Sequence, residues 1–118
     1  MAMSVVTSKN TMATYYGTQA TQIGLATAAQ STTSTITNEV TGGSPAYARV
    51  ATTWGGASSS AITGTSVTIN IPTTTTVTHA LLCTAATGAS TLFDWCQVTS
   101  TTYNAQGSAI ITPTFTMS

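Results

Sequence analysis

Thirty of the 118 residues are threonine and thirteen are serine, against four charged side chains, Lys9, Glu39, Arg49 and Asp94. Threonine at this density limits the fold before anything else does. Its branched Cβ restricts χ1, which suits a pleated strand and weakens a helix. The scarcity of charge limits the surface in turn. An unassociated monomer commonly carries about a quarter or more charged residues on its surface. With four in all, the solvated face must consist of hydroxyls, amides and small side chains, which have little electrostatic means of rejecting neighbours. The composition points to a β-rich subunit that packs against other protein copies, not to an enzyme that works alone.

A chain of 118 residues suits one domain with one core. We expect a single domain over 1–118, with an N-terminal helical segment at 1–20 and a β domain at 22–118. The formal net charge is zero and the two basic residues lie far apart, so no footprint for phosphates exists and nucleic acid is not an expected partner. No run approaches the roughly 18–20 apolar residues that span a bilayer, so no membrane partner is expected. Residues 1–7 lack a basic region and a continuous apolar stretch, which points to folding in a cytoplasm. Two cysteines are too few for a disulfide framework.

Met12, Tyr16 and Ala20 recur at four-residue spacing, continued upstream by Val5 and Lys9, which predicts a short helix over 5–18. A strand follows at 22–28, then a polar loop or arm at 30–35. Beyond Asn38 the chain alternates turns and strands. Strands are predicted at 46–54 and at 66–71, where Val67, Ile69 and Ile71 share a face and Pro72 ends the ladder. Segments 77–84 and 91–98 flank a loop at 85–90 and read as a hairpin. A last strand at 107–117 carries Pro113, which implies an edge position or a bulge. The expected fold class is all-β, an antiparallel sandwich or small barrel, with a short N-terminal helix.

Paired symmetrically about their loop, the hairpin strands set His79 opposite Cys96 and Leu81 opposite Asp94. His79, Leu81 and Cys83 then share a face with Leu92, Asp94 and Cys96. This superficially resembles a thiol–imidazole–carboxylate set, but no glycine-rich oxyanion element follows Cys96. A His79–Asp94 pair that fixes the hairpin register is the better reading. No catalytic residue, cofactor or metal is expected. His79 and Cys83, four residues apart on one strand, lie roughly 13 Å from each other, too far to share an ion. The same register separates Cys83 from Cys96 too widely for a disulfide, so both are expected as buried free thiols. Six of the aromatic residues, Tyr15, Tyr16, Tyr47, Trp54, Trp95 and Tyr103, could form a sugar platform, but the convergent polar groups of a glycan site are missing. Arg49 is expected to pair with Glu39, within the domain or across a subunit boundary. The candidate interface residues are therefore Glu39, Tyr47, Arg49 and Trp54.

The block Asn38-Glu39-Val40-Thr41-Gly42-Gly43-Ser44-Pro45-Ala46-Tyr47-Ala48-Arg49-Val50, with Trp54 beyond it, is similar to a segment of small virion proteins of tailed bacteriophages. So are Val77-Thr78-His79-Ala80-Leu81-Leu82, Thr84-Ala85-Ala86-Thr87-Gly88, Leu92-Phe93 and Ala105-Gln106-Gly107. The resemblance covers most of the chain. Members are often labelled tail-fibre, minor capsid or decoration proteins. The chain departs from them at Ala28-Ala29-Gln30, where Asp-Pro is common, and at Cys83, where an acid is common. The resemblance implies a structural subunit of a virion, made in the bacterial cytoplasm, with no catalytic residues. Its expected partners are other copies of itself, with a trimer as the small closed form, and virion proteins such as the major capsid protein. A short chain without heptads or repeats suits capping a head lattice better than forming a fibre. The alternative is a tail or tail-fibre protein that adheres to host glycans.

Overall fold

The computed structural model describes residues 5–117. One helix, α1 (Val6–Gln19), precedes eight strands: β1 (Gln22–Ala26), β2 (Val50–Ala51), β3 (Ala61–Thr63), β4 (Val67–Ile71), β5 (Thr75–Cys83), β6 (Leu92–Tyr103), β7 (Gly107–Ile111) and β8 (Thr114–Thr116). The main sheet has the order β2-β1-β5-β6, and two small sheets pair β3 with β8 and β4 with β7. Every pairing is antiparallel. The all-β class with one short helix is thus the fold, layered like a sandwich and open at its edges rather than closed into a barrel.

Period-two alternation explains the layers. In β4, Val67, Ile69 and Ile71 are buried while Thr68 is exposed. These three meet Ile23 and Leu25 of β1 and Val77 and Ala80 of β5, forming the larger core between the main sheet and the β4–β7 layer. The opposite face of the main sheet carries Ala26, Leu81, Cys83 and Leu92, which Ile36 from the long 27–49 connection covers. Because both faces are covered, β1 is buried from Ile23 to Ala26 and does not alternate.

The helix buries a face that only partly matches the stripe its apolar spacing predicts. Ala20 of that stripe is buried and Tyr16 half-buried, but Ala13 and Gly17 are buried beside them, whereas Met12 and Val5 are 48% and 60% exposed. A Cβ on Gly17 would lie 2.9 Å from Trp54 Cγ and 3.0 Å from Ile62 Cδ1, so the helix approaches β3 through its smallest residues. Local signals for α1 are weak. No side chain caps its start, and neither end carries a charge matched to the dipole. Thr11 and Thr14 each donate to the carbonyl four residues back, and Thr18 to that of Tyr15. Such bonds satisfy hydroxyls that a strand would otherwise have turned to water.

Three strand expectations are corrected. Of the predicted 46–54 strand, only Val50 and Ala51 enter the ladder, opposite Ile23 and Gln22. Beyond that point the flank of β1 is already occupied: Tyr47 Oη accepts from Leu25 N–H at 3.0 Å, and Leu25 C=O accepts from Val40 N–H at 3.1 Å. The predicted 107–117 strand is split at Thr112-Pro113 into β7 and β8, which join different sheets. Pro113 cannot donate to a ladder, and its carbonyl accepts from Gly64 N–H at 2.9 Å instead.

The third correction is the hairpin register. Cys83 faces Leu92, as symmetric pairing predicts, but the next pair is Leu82 with Asp94. Phe93 is bulged out, which shifts the rest of β6 by one residue and sends Asp94 and Cys96 to the face opposite His79. A second irregularity sets Thr78 against residues 98–100.

Candidate functional site

Three of the four candidate interface residues converge. Glu39, Tyr47 and Arg49 lie in the long connection, over the point where Gly24 of β1 leaves room. A Cβ on Gly24 would sit 2.7 Å from Tyr47 Oη and 3.4 Å from Glu39 Oε2. Arg49 Nε and Nη2 donate to the two Glu39 carboxylate oxygens at 2.7 and 2.8 Å. Nη2 also reaches Gly88 C=O at 2.9 Å, and Nη1 reaches Ala85 C=O at 3.0 Å and Thr91 Oγ1 at 2.8 Å. All five guanidinium donors are therefore used. Tyr47 O–H donates to Glu39 Oε2 at 2.8 Å while its oxygen accepts from Leu25 N–H. The Glu39–Arg49 pair expected from sequence forms within the domain.

The side chains of Arg49 and Glu39 are 3% and 21% exposed, so this is a largely desolvated pair. Burial pushes the Glu39 carboxyl up, but hydrogen bonds from Arg49 and Tyr47 and the guanidinium charge outweigh it and hold the group below its ordinary range. Burial, reinforced by the neighbouring carboxylate, pushes the Tyr47 hydroxyl up. A cleft of about 300 Å³ borders the network, lined by Val40, Gly42, Tyr47, Ala48, Thr87 and Gly88 among others. With the guanidinium fully engaged, the cluster acts as a tie. It joins the end of β1, residue 39, residues 47–49 and the β5–β6 loop.

Trp54 sits elsewhere. Its Nε1–H donates to Ala20 C=O at 2.7 Å, and its ring lies edge-on to Tyr16 with centroids 6.1 Å apart. Tyr16 also stacks on Phe115 at 3.7 Å, meets the bulged Phe93 at 5.0 Å and donates its hydroxyl to Asp94 Oδ2 at 2.7 Å. Burial pushes that hydroxyl up, with the Asp94 contact adding to it. This aromatic junction binds α1 to β6 and β8. Spacing alone does not reveal it, because the bulge at Phe93 depends on the partner strand.

The expected His79–Asp94 pair does not form. His79 Nδ1 is hydrogen-bonded to Thr78 Oγ1 at 2.7 Å, and its ring lies edge-on to Trp95. The thiol–imidazole–carboxylate arrangement is not assembled, since the register places its members on two faces. Cys83 is buried, as expected, and burial raises its thiol to about 11. Cys96 corrects the other half of that expectation, being exposed, on the face of β6 that it shares with Ala80 of β5. Among the described residues, no three His, Cys, Asp or Glu side chains group closely enough to hold a metal ion. No helix among them is long and apolar enough to cross a membrane. Comparison with protein-family models, curated proteins and solved structures returns no match for this chain.

Proposed function

We propose that this protein is a structural subunit of a bacteriophage virion, a minor capsid or decoration protein on the head surface that stabilises the particle by packing in many copies. The observation that carries the reading is where the charges go. Glu39 and Arg49 neutralise each other inside the domain, and Asp94 accepts the Tyr16 hydroxyl. Outward positions on the strands are mostly uncharged, with threonine and serine as at Thr68, Ser108, Thr114 and Thr116, and with Ile110 exposed beside Ser108. Such a surface raises little charge barrier to close packing against like surfaces. The resemblance of the 38–50 block to phage virion proteins supports the same class. The Arg49 tie closes within a single copy, which suits a cap that must arrive folded.

Deleting the gene tests the assignment. Particles lacking the protein are expected to tolerate heat and osmotic shock less well while adsorbing to host cells almost normally, because many weak contacts add up across a lattice. Normal stability with lost adsorption would reject the head role and put a tail adhesin in its place.

A further inference from the structure

We propose that β6 pairs edge to edge and antiparallel with β6 of a second copy of this chain, about a twofold axis; this deepens the many-copy reading above and rests on it. β6 ends the order β2-β1-β5-β6, so among the described residues one flank has no strand beside it. Which backbone groups face that flank follows from β1. Both the N–H and the C=O of Leu25 are taken on the side away from β5, by Tyr47 Oη and Val40 N–H. In an antiparallel ladder, facing residues alternate between pairs that exchange both bonds and pairs that turn away. Leu25 faces Ala80, so Ala80 turns its groups toward β6, where it meets Cys96. The flanking pairs, Leu81–Trp95 and His79–Gln97, then turn away, and Trp95 and Gln97 present N–H and C=O to the open flank. The Trp95 N–H agrees with this orientation and is already held at 2.9 Å by the Asp94 carboxylate of its own strand, which leaves the Trp95 C=O and both Gln97 groups for a partner.

An open edge is satisfied by another extended backbone. Lysine, proline and inward charge guard natural edges, and residues 95–103 contain none of these. The two bulges are the guards β6 does have, and they leave Asp94–Gln97 regular. Charge selects the occupant and its direction. Asp94 is the single charge on β6 and sits near its start. At that start the flank is already covered, because Ser34 C=O accepts Leu92 N–H at 3.0 Å. The twofold axis therefore falls at Cys96 or beyond. That placement keeps the two Asp94 residues at least about 13 Å apart along the strands, outside the ~10 Å screening length at 0.1 M salt. A parallel in-register pair would set them side by side. A strongly charged foreign partner would find no countercharge on 95–103, whereas a second copy is matched in its neutrality. The contact makes a dimer the smallest closed form, in place of the trimer that composition leads one to expect.

Sedimentation of the full chain at micromolar concentration, with Gln97→Pro and Cys96→Pro beside it, tests the pairing. Proline at 97 removes only an outward donor, which an edge strand tolerates. We expect a wild-type dimer, self-association at least tenfold weaker in Gln97→Pro with its melting curve retained, and loss of folding stability in Cys96→Pro. The Gln97 amide of the wild type should also exchange with solvent more slowly as concentration rises, a readout that stands even if Gln97→Pro does not fold. Oligomers unaffected by Gln97→Pro, with Gln97 exchange independent of concentration, would overturn the edge pairing and leave the many-copy reading in place. A wild type that stays monomeric also overturns it, and the gene deletion then decides the many-copy reading separately.

Discussion

At the scale of single residues, the decisive group is Arg49. A buried ion pair contributes little net stability when intact but is costly to break, because the surviving partner is left charged without countercharge. Arg49→Ala is expected to destabilise the isolated protein by about 3–5 kcal/mol, read from urea unfolding. Arg49→Lys should recover only part of this, since an ammonium cannot reproduce the forked contact to both Glu39 oxygens. The folded-state pKa of Glu39 lies below its ordinary value of 4.5. Its contribution is therefore fully present above that value and is lost as pH falls through the depressed one. Glu39→Gln should flatten the acid limb of the stability profile, and an unchanged limb would assign acid unfolding to another group. The thiols separate just as cleanly. Cys96 should alkylate in the native protein, while Cys83, buried and with its thiol raised to about 11, should react only on denaturation.

At the scale of elements, α1 illustrates a helix held by what it touches. Its sequence is rich in threonine and lacks caps, so a peptide of residues 5–20 should be largely unstructured by circular dichroism. In the protein, the small face formed by Ala13, Gly17 and Ala20 lets it seat against Trp54 and Ile62. Gly17→Ala would ordinarily favour a helix by roughly 1 kcal/mol. Here the added methyl would meet Trp54 Cγ at 2.9 Å, so we expect net destabilisation and a change in Trp54 fluorescence. A stabilised Gly17→Ala variant would show that the helix packs by another face. The hairpin makes a related point: Phe93 leaves the ladder and packs on Tyr16, so the junction that holds α1 is also the place where the strand register changes.

At the scale of the whole molecule, most pairings join distant segments: β1 with β5, β3 with β8 and β4 with β7. Closing such loops precedes any reward from the contacts, so refolding is expected in milliseconds to seconds rather than microseconds, measured by stopped-flow tryptophan fluorescence. The sequence by itself determined the β-rich class, the buried face of β4, the hairpin with its loop, and Glu39 as partner for Arg49. The strand features rest on properties carried within a few residues, namely Cβ branching and the alternation of side chains along a strand. The ion pair was legible because so few charges exist. Tertiary structure alone decided the register beyond Phe93, the shortening of β2, the break at Pro113, the buried face of α1 and the placement of His79 away from Asp94. Each of these depends on a partner far along the chain, whose position sets which backbone groups are already bonded and which side chains have room. Local pattern carries no record of that occupancy.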